Sequence, residues 1–91
     1  MFKQGLLVFT AGVNDLVATS SFFAKFVTTS LGRHFRGDWG DLDEEDRKSN
    51  DRAVKTGERI LSAYKDKNGV KIWIITEADR SATTVLFPSE Y

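Results

Sequence analysis

The sequence predicts an α+β fold: an N-terminal strand and two to three helices packed on a C-terminal antiparallel three-stranded meander. Three observations carry this. Residues 22–35 repeat apolar side chains at helical spacing. Residues 58–87 change to a period of two. Asn68-Gly69 stands between two apolar runs, which is the strongest short-range hairpin signal. At 91 residues the chain fits a single domain, 1–91. A chain of that size buries only about two-thirds of the surface its unfolded form exposes, so each large apolar side chain counts.

Gly5-Leu6-Leu7-Val8-Phe9-Thr10 reads as a short, wholly apolar strand, ended by Ala11-Gly12. Such a strand is either buried on both faces or is an edge lying under a helix. Asn14 can cap a short helix over Asp15 to Thr19, with Asp15 suited to the positive end of the helix dipole. Ser20 or Ser21 caps the main core helix, which runs to about Phe35. Phe22, Phe23, Phe26, Val27, Leu31 and Phe35 make its broad apolar stripe, with Lys25, Thr28, Thr29 and Arg33 outside it. A third helix runs from Leu42 to Thr56, with Asp41 or Asp43 as cap and Gly57 as stop. Acidic residues lead it and basic residues follow, in the order the dipole favours. Few of its positions are apolar, so most of it must face water.

A two-residue Asn68-Gly69 loop sets Lys65 opposite Ile72, Ala63 opposite Ile74, and Tyr64 facing Trp73. A turn over Ala78-Asp79-Arg80-Ser81 leads to the last strand, Ala82 to Phe87, which Pro88 ends. In that register one face carries Leu61, Ala63, Ile72, Ile74, Val85 and Phe87. The other carries Ser62, Tyr64, Trp73, Ile75, Thr84 and Leu86. Both are apolar at the centre, so the second face, around Trp73, Ile75 and Leu86, is expected to be only partly covered within one chain and to favour a homodimer or a partner.

Composition narrows the function classes. There is no cysteine, which excludes disulfides, thiolate catalysis and cysteine-ligated metal, and favours a reducing cytoplasm. Strictly apolar runs reach four residues, as in Ile72-Trp73-Ile74-Ile75, against the about 20 a spanning helix needs, so no membrane is expected. The 13 basic and 13 acidic residues cancel. Nucleic-acid binders of this size are usually clearly basic, so the net charge argues against nucleic acid as partner.

Several residues invite a chemical reading. His34 is the only histidine, and a triad would need Asp38 or Asp41 to orient it, yet no nucleophile motif is present. The plainer reading is a histidine favoured at a helix C-terminus by the dipole. Asp38, Asp41, Asp43, Glu44, Glu45 and Asp46 put six negative charges together with no positive one. Such a run caps a helix, imitates phosphates against a basic groove, or holds a hard cation, though its spacing is not that of an EF-hand. Trp39 lies in a loop between glycines, either tucked against the body or exposed as an anchor. Arg36-Gly37-Asp38 carries weight only outside the cell. Glu77, Asp79, Arg80 and Ser81 form a turn with a local ion pair or a polar site at the sheet end.

Two blocks carry a family resemblance. One runs through Arg33-His34, Gly37-Asp38-Trp39-Gly40-Asp41-Leu42, Glu45-Asp46 and Arg59-Ile60-Leu61-Ser62-Ala63-Tyr64; the other is Ile72 to Pro88. Together they resemble small plasmid-related proteins carried by bacterial plasmids, prophages and integrative elements. Some of these are called restriction–modification subunits, but a methyltransferase needs a far larger cofactor domain with motifs that are absent here. The resemblance implies no catalytic residues. It implies genomic company in which small proteins often block restriction or CRISPR defences.

The expectation is therefore a non-enzymatic protein that docks on a protein partner, with a host defence complex as the partner class. Trp39 and Trp73 are its candidate anchors, Asp38, Asp41, Asp43 and Glu44 its carboxylates, and Arg80 its basic group. No catalytic residue, metal or cofactor is assigned. The alternatives are a small metal-dependent hydrolase built on His34, Asp38 and Asp41, or a nucleic-acid-binding accessory protein using Arg33, Arg36, Arg47 and Lys48.

Overall fold

The computed structural model describes Met1–Tyr91. In chain order it comprises β1 (Leu6–Phe9), α1 (Ala11–Thr19), α2 (Ser21–Phe35), α3 (Glu44–Thr56), β2 (Ile60–Lys65), β3 (Lys71–Thr76), β4 (Ala82–Leu86) and a closing 3-10 turn, Pro88–Glu90. No helix is long and apolar enough to cross a membrane. The fold is α+β, but the sheet is not a three-stranded antiparallel meander. It has four strands in the order β1-β4-β3-β2. The meander of β2, β3 and β4 is present, and β1 joins β4 in parallel, with Leu6 beside Ala82 and Phe9 beside Val85. A parallel pair needs a long crossover, which here is the rest of the protein.

The hairpin forms, one residue out of the expected register. Tyr64 lies opposite Ile72 and Ala63 opposite Trp73. Asp66 causes the shift. Its amide and that of Gly69 close the turn with Val70 O and Asp66 O, at 3.0 Å each. Its Oδ1 accepts from the amides of Asn68 (2.8 Å) and Val70 (2.9 Å). Three residues, Lys67-Asn68-Gly69, therefore sit in the loop, with Gly69 at φ +84° as the bulge residue.

A slip of one residue exchanges the faces of one strand relative to the next. The helix-covered face consequently carries Ile60, Ser62, Tyr64, Ile72, Ile74, Thr76, Thr83 and Val85, all buried. The other carries Leu61, Ala63, Trp73, Ile75, Thr84 and Leu86. The second face is less bare than expected: Ile75 and Leu86 are each 4% exposed. Tyr91 packs edge-on against the Trp73 ring, with centroids 5.6 Å apart. Arg59 Nη2 donates to the Tyr91 hydroxyl at 2.9 Å.

Ser20 caps α2 by accepting from the Phe23 amide. The buried stripe of α2 is Phe23, Val27, Ser30 and His34, which advance by four, three and four residues. Phe22 is exposed and Phe26 half-buried, so the aromatic stripe is narrower than the sequence suggests. Helix α1 begins at Ala11, three residues before the expected Asn14 cap. Its own Thr10 makes no capping bond. The carboxylate of Glu90 does that work from the far end of the chain, accepting from the Gly12 amide (2.9 Å) and the Thr10 hydroxyl (2.6 Å). Helix α3 is capped by Asp43 and stopped by Gly57 at φ +80°, and buries only Asn50 and Ala53.

The two sheet edges differ. On β2, Asn50 copies a neighbouring strand, accepting from the Leu61 amide (3.3 Å) and donating to its carbonyl (2.7 Å). Beside it, Ala63 N donates to Trp39 O and Asp41 N to Ala63 O. The β1 edge has no such cover, and Leu6 and Leu7 are exposed there.

Candidate functional site

His34 is fully buried at the end of α2, under the sheet. Nδ1 lies 2.6 Å from Ser62 Oγ and Nε2 lies 2.9 Å from Thr76 Oγ1. Thr76 Oγ1 is 2.8 Å from Thr83 Oγ1, which donates to Gln4 O at 2.7 Å. Each hydroxyl has one proton, so the chain has one consistent direction. Thr83 spends its proton on Gln4 and accepts from Thr76. Thr76 therefore accepts from Nε2–H, and Nδ1 accepts from Ser62. The imidazole is neutral, with its proton on Nε2.

Ser62 and His34 thus form a hydroxyl–imidazole pair of the kind that activates a nucleophile, but without access. Both residues are fully buried, and the third member is a threonine hydroxyl rather than a carboxylate. Burial pushes the His34 imidazole down from 6.5 to about 4. The dipole-stabilised cation suggested by its place at a helix end is therefore not what the fold uses. Between pH 6.5 and 4 the unfolded chain takes up a proton that the folded chain refuses, so stability is lost as pH falls, by up to about 1.4 kcal/mol per unit. Because this is the sole histidine, its imidazole resonance in NMR should not titrate above about pH 5 in the folded protein. The urea midpoint should fall over the same interval. A normal titration near 6.5 would show that the buried chain of hydroxyls does not hold.

The other candidate residues are placed as follows. Trp39 is 4% exposed, its ring against Phe2 and His34, with Nε1 donating to Asp51 at 2.9 Å. It is a core residue and not an exposed anchor. Trp73 lies half-buried on the opposite face of the sheet, so the two tryptophans do not form one surface. Asp38 takes a bidentate contact from Arg33, at 2.7 and 3.1 Å, which holds its carboxyl below the usual range. The Arg33 guanidinium lies over the ring of Tyr64, whose hydroxyl donates to Asp38 O at 2.6 Å. Burial pushes the Tyr64 phenol up to about 12. Arg80, at φ +62°, clamps three carbonyls, of Ala53, Glu58 and Glu77. It ties the end of α3 to the β3–β4 turn.

Of the acidic run, Asp43 is spent on the α3 cap and Glu44 lies 3.5 Å from Lys48. Asp41, Glu45 and Asp46 are exposed and form no ion pair. The backbone below them is fixed by Arg47, which donates to the carbonyls of Gly40 and Leu42, at 2.8 Å each. No three histidine, aspartate or glutamate side chains converge as a metal site.

A groove of about 480 Å³, not foreseen from the sequence, lies between α2 and the β2–β3 loop. Phe22, Lys25, Phe26 and Arg33 line it from the helix, and Lys65 and Lys67 from the hairpin. The signal was present as a second stripe on α2, Phe22-Lys25-Phe26-Thr29-Arg33, running alongside the buried one.

No protein-family model, curated protein or solved structure matches this chain.

Proposed function

We propose that the chain is a non-enzymatic docking protein of the mobile-element kind that its sequence resembles, with a host defence nuclease as the class of its partner. The supporting observation is the division of charge on a chain whose net charge is zero. Asp41, Glu45 and Asp46 stand free on a fixed ledge at the start of α3, and the lysines of the α2 groove stand free elsewhere. Complementary fields of this kind steer encounter and set the register of a complex more than they add to its affinity. The groups that could do chemistry are engaged in the fold: His34 through both nitrogens, Asp38 through Arg33, and Arg80 through backbone carbonyls.

Transformation of unmodified plasmid DNA into restriction-proficient and CRISPR-proficient hosts tests this. Expression of the chain should raise transformation in at least one host. The double variant Glu45→Lys/Asp46→Lys, at two exposed positions, should remove the gain. Equal transformation with and without the chain in every such host would end the anti-defence reading.

A further inference from the structure

We infer that the groove between α2 and the β2–β3 loop binds single-stranded nucleic acid, with Lys25, Lys65 and Lys67 on phosphates and a base stacked on Phe22. This goes beyond the protein-docking reading and does not depend on it. The two ion pairs of the chain are Arg33–Asp38 and Glu44–Lys48, so the three groove lysines have no acidic partner. The one acid in the groove wall, Asp66, is turned into the hairpin, where it accepts from two loop amides.

Phe22 decides between the kinds of anion. It is 42% exposed, although the core lies one position away at Phe23. Lys67 Nζ stands 4.8 Å from its ring centroid. An acidic peptide would satisfy the lysines but bring nothing flat to the part of the ring that Lys67 leaves exposed. A nucleotide strand brings phosphates and flat bases together, and each base stacked on an aromatic ring is worth about 1–3 kcal/mol whatever its sequence. Net charge zero spoke against nucleic acid only as a sum over the whole surface. The charges are segregated, and the field that matters is the local one.

Fluorescence anisotropy with a short labelled oligothymidylate tests the inference, with a glutamate-rich peptide as the competing ligand. The wild type should bind the oligonucleotide, with log affinity falling against log salt at a slope of about −2, as three phosphate contacts on a single strand require. Lys65→Glu/Lys67→Glu should abolish binding. Phe22→Ala should weaken it by about 5- to 160-fold. All three positions are exposed, so unchanged urea midpoints will show that the variants fold. No binding at low salt overturns the inference. So does binding that ignores Phe22→Ala, or a peptide that binds as tightly as the oligonucleotide.

Discussion

Gly40→Ala is expected to bring the protein close to unfolding. Gly40 sits at φ +72°, and a Cβ there would run into the carbonyl oxygen of Ala63 and lie 2.7 Å from a ring carbon of Tyr64. Holding a side-chain-bearing residue in that conformation costs about 1–3 kcal/mol. The overlap adds a further amount of about 1–3 kcal/mol. Neither neighbour can yield. The Ala63 carbonyl accepts the Asp41 amide, and the Tyr64 ring is fixed at its far end by the bond to Asp38 O. Against a total stability of about 5–10 kcal/mol the loss is large. The urea midpoint should drop sharply. The Ala63 amide, which the wild type ties to Trp39 O, should lose its protection against hydrogen exchange. A midpoint unchanged from wild type would mean that the loop does not close the β2 edge.

Phe23→Ala should cost about 3–5 kcal/mol, the range for deleting a large buried aromatic side chain. Phe23 is 2% exposed and packs in one cluster with Val13, Val27, Tyr64, Ile72, Ile74 and Val85, its ring 5.9 Å from that of Phe87. Phe26 touches the same cluster but is only half-buried, so Phe26→Ala should cost less. Urea denaturation of the two variants side by side decides the order. A larger loss for Phe26 would place the core one turn away from where the structure has it.

What could be read in the sequence follows the range of each interaction. The end of α3 was legible because Gly57 acts on backbone within a few residues; its start was legible only to within two residues, since Asp41 and Asp43 are both good caps and the helix begins at Glu44 behind Asp43 rather than at Leu42. The hairpin was legible as a hairpin. Its register was not, because Asn68-Gly69 fits both a two-residue and a three-residue loop, and the side chain of Asp66 selects the longer one. That single choice reassigned the faces of β2 against β3, putting Leu61 and Ala63 with Trp73 and giving Tyr64 to the core. Phe22 joined the expected stripe because a helical period fixes which residues are neighbours, not where the sheet ends above them. The place of β1 was hidden for a different reason. Its partner β4 is separated from it by the rest of the chain, and an apolar strand carries no mark of direction. His34 was hidden in the same way, since Ser62, Thr76 and Thr83 come from three different strands.

The pairing of β1 with β4 also sets the order of events at the ribosome. At about 5–20 residues per second, Leu6 waits several seconds or more for the arrival of Ala82. Until then α1 lacks the Glu90 carboxylate at its start, Thr83 cannot reach Gln4, and the Leu6-Leu7 pair has no strand to lie against. The strand is made long before it is secured. During synthesis the nascent chain therefore carries an unpaired apolar strand, the kind of segment that holdase chaperones bind.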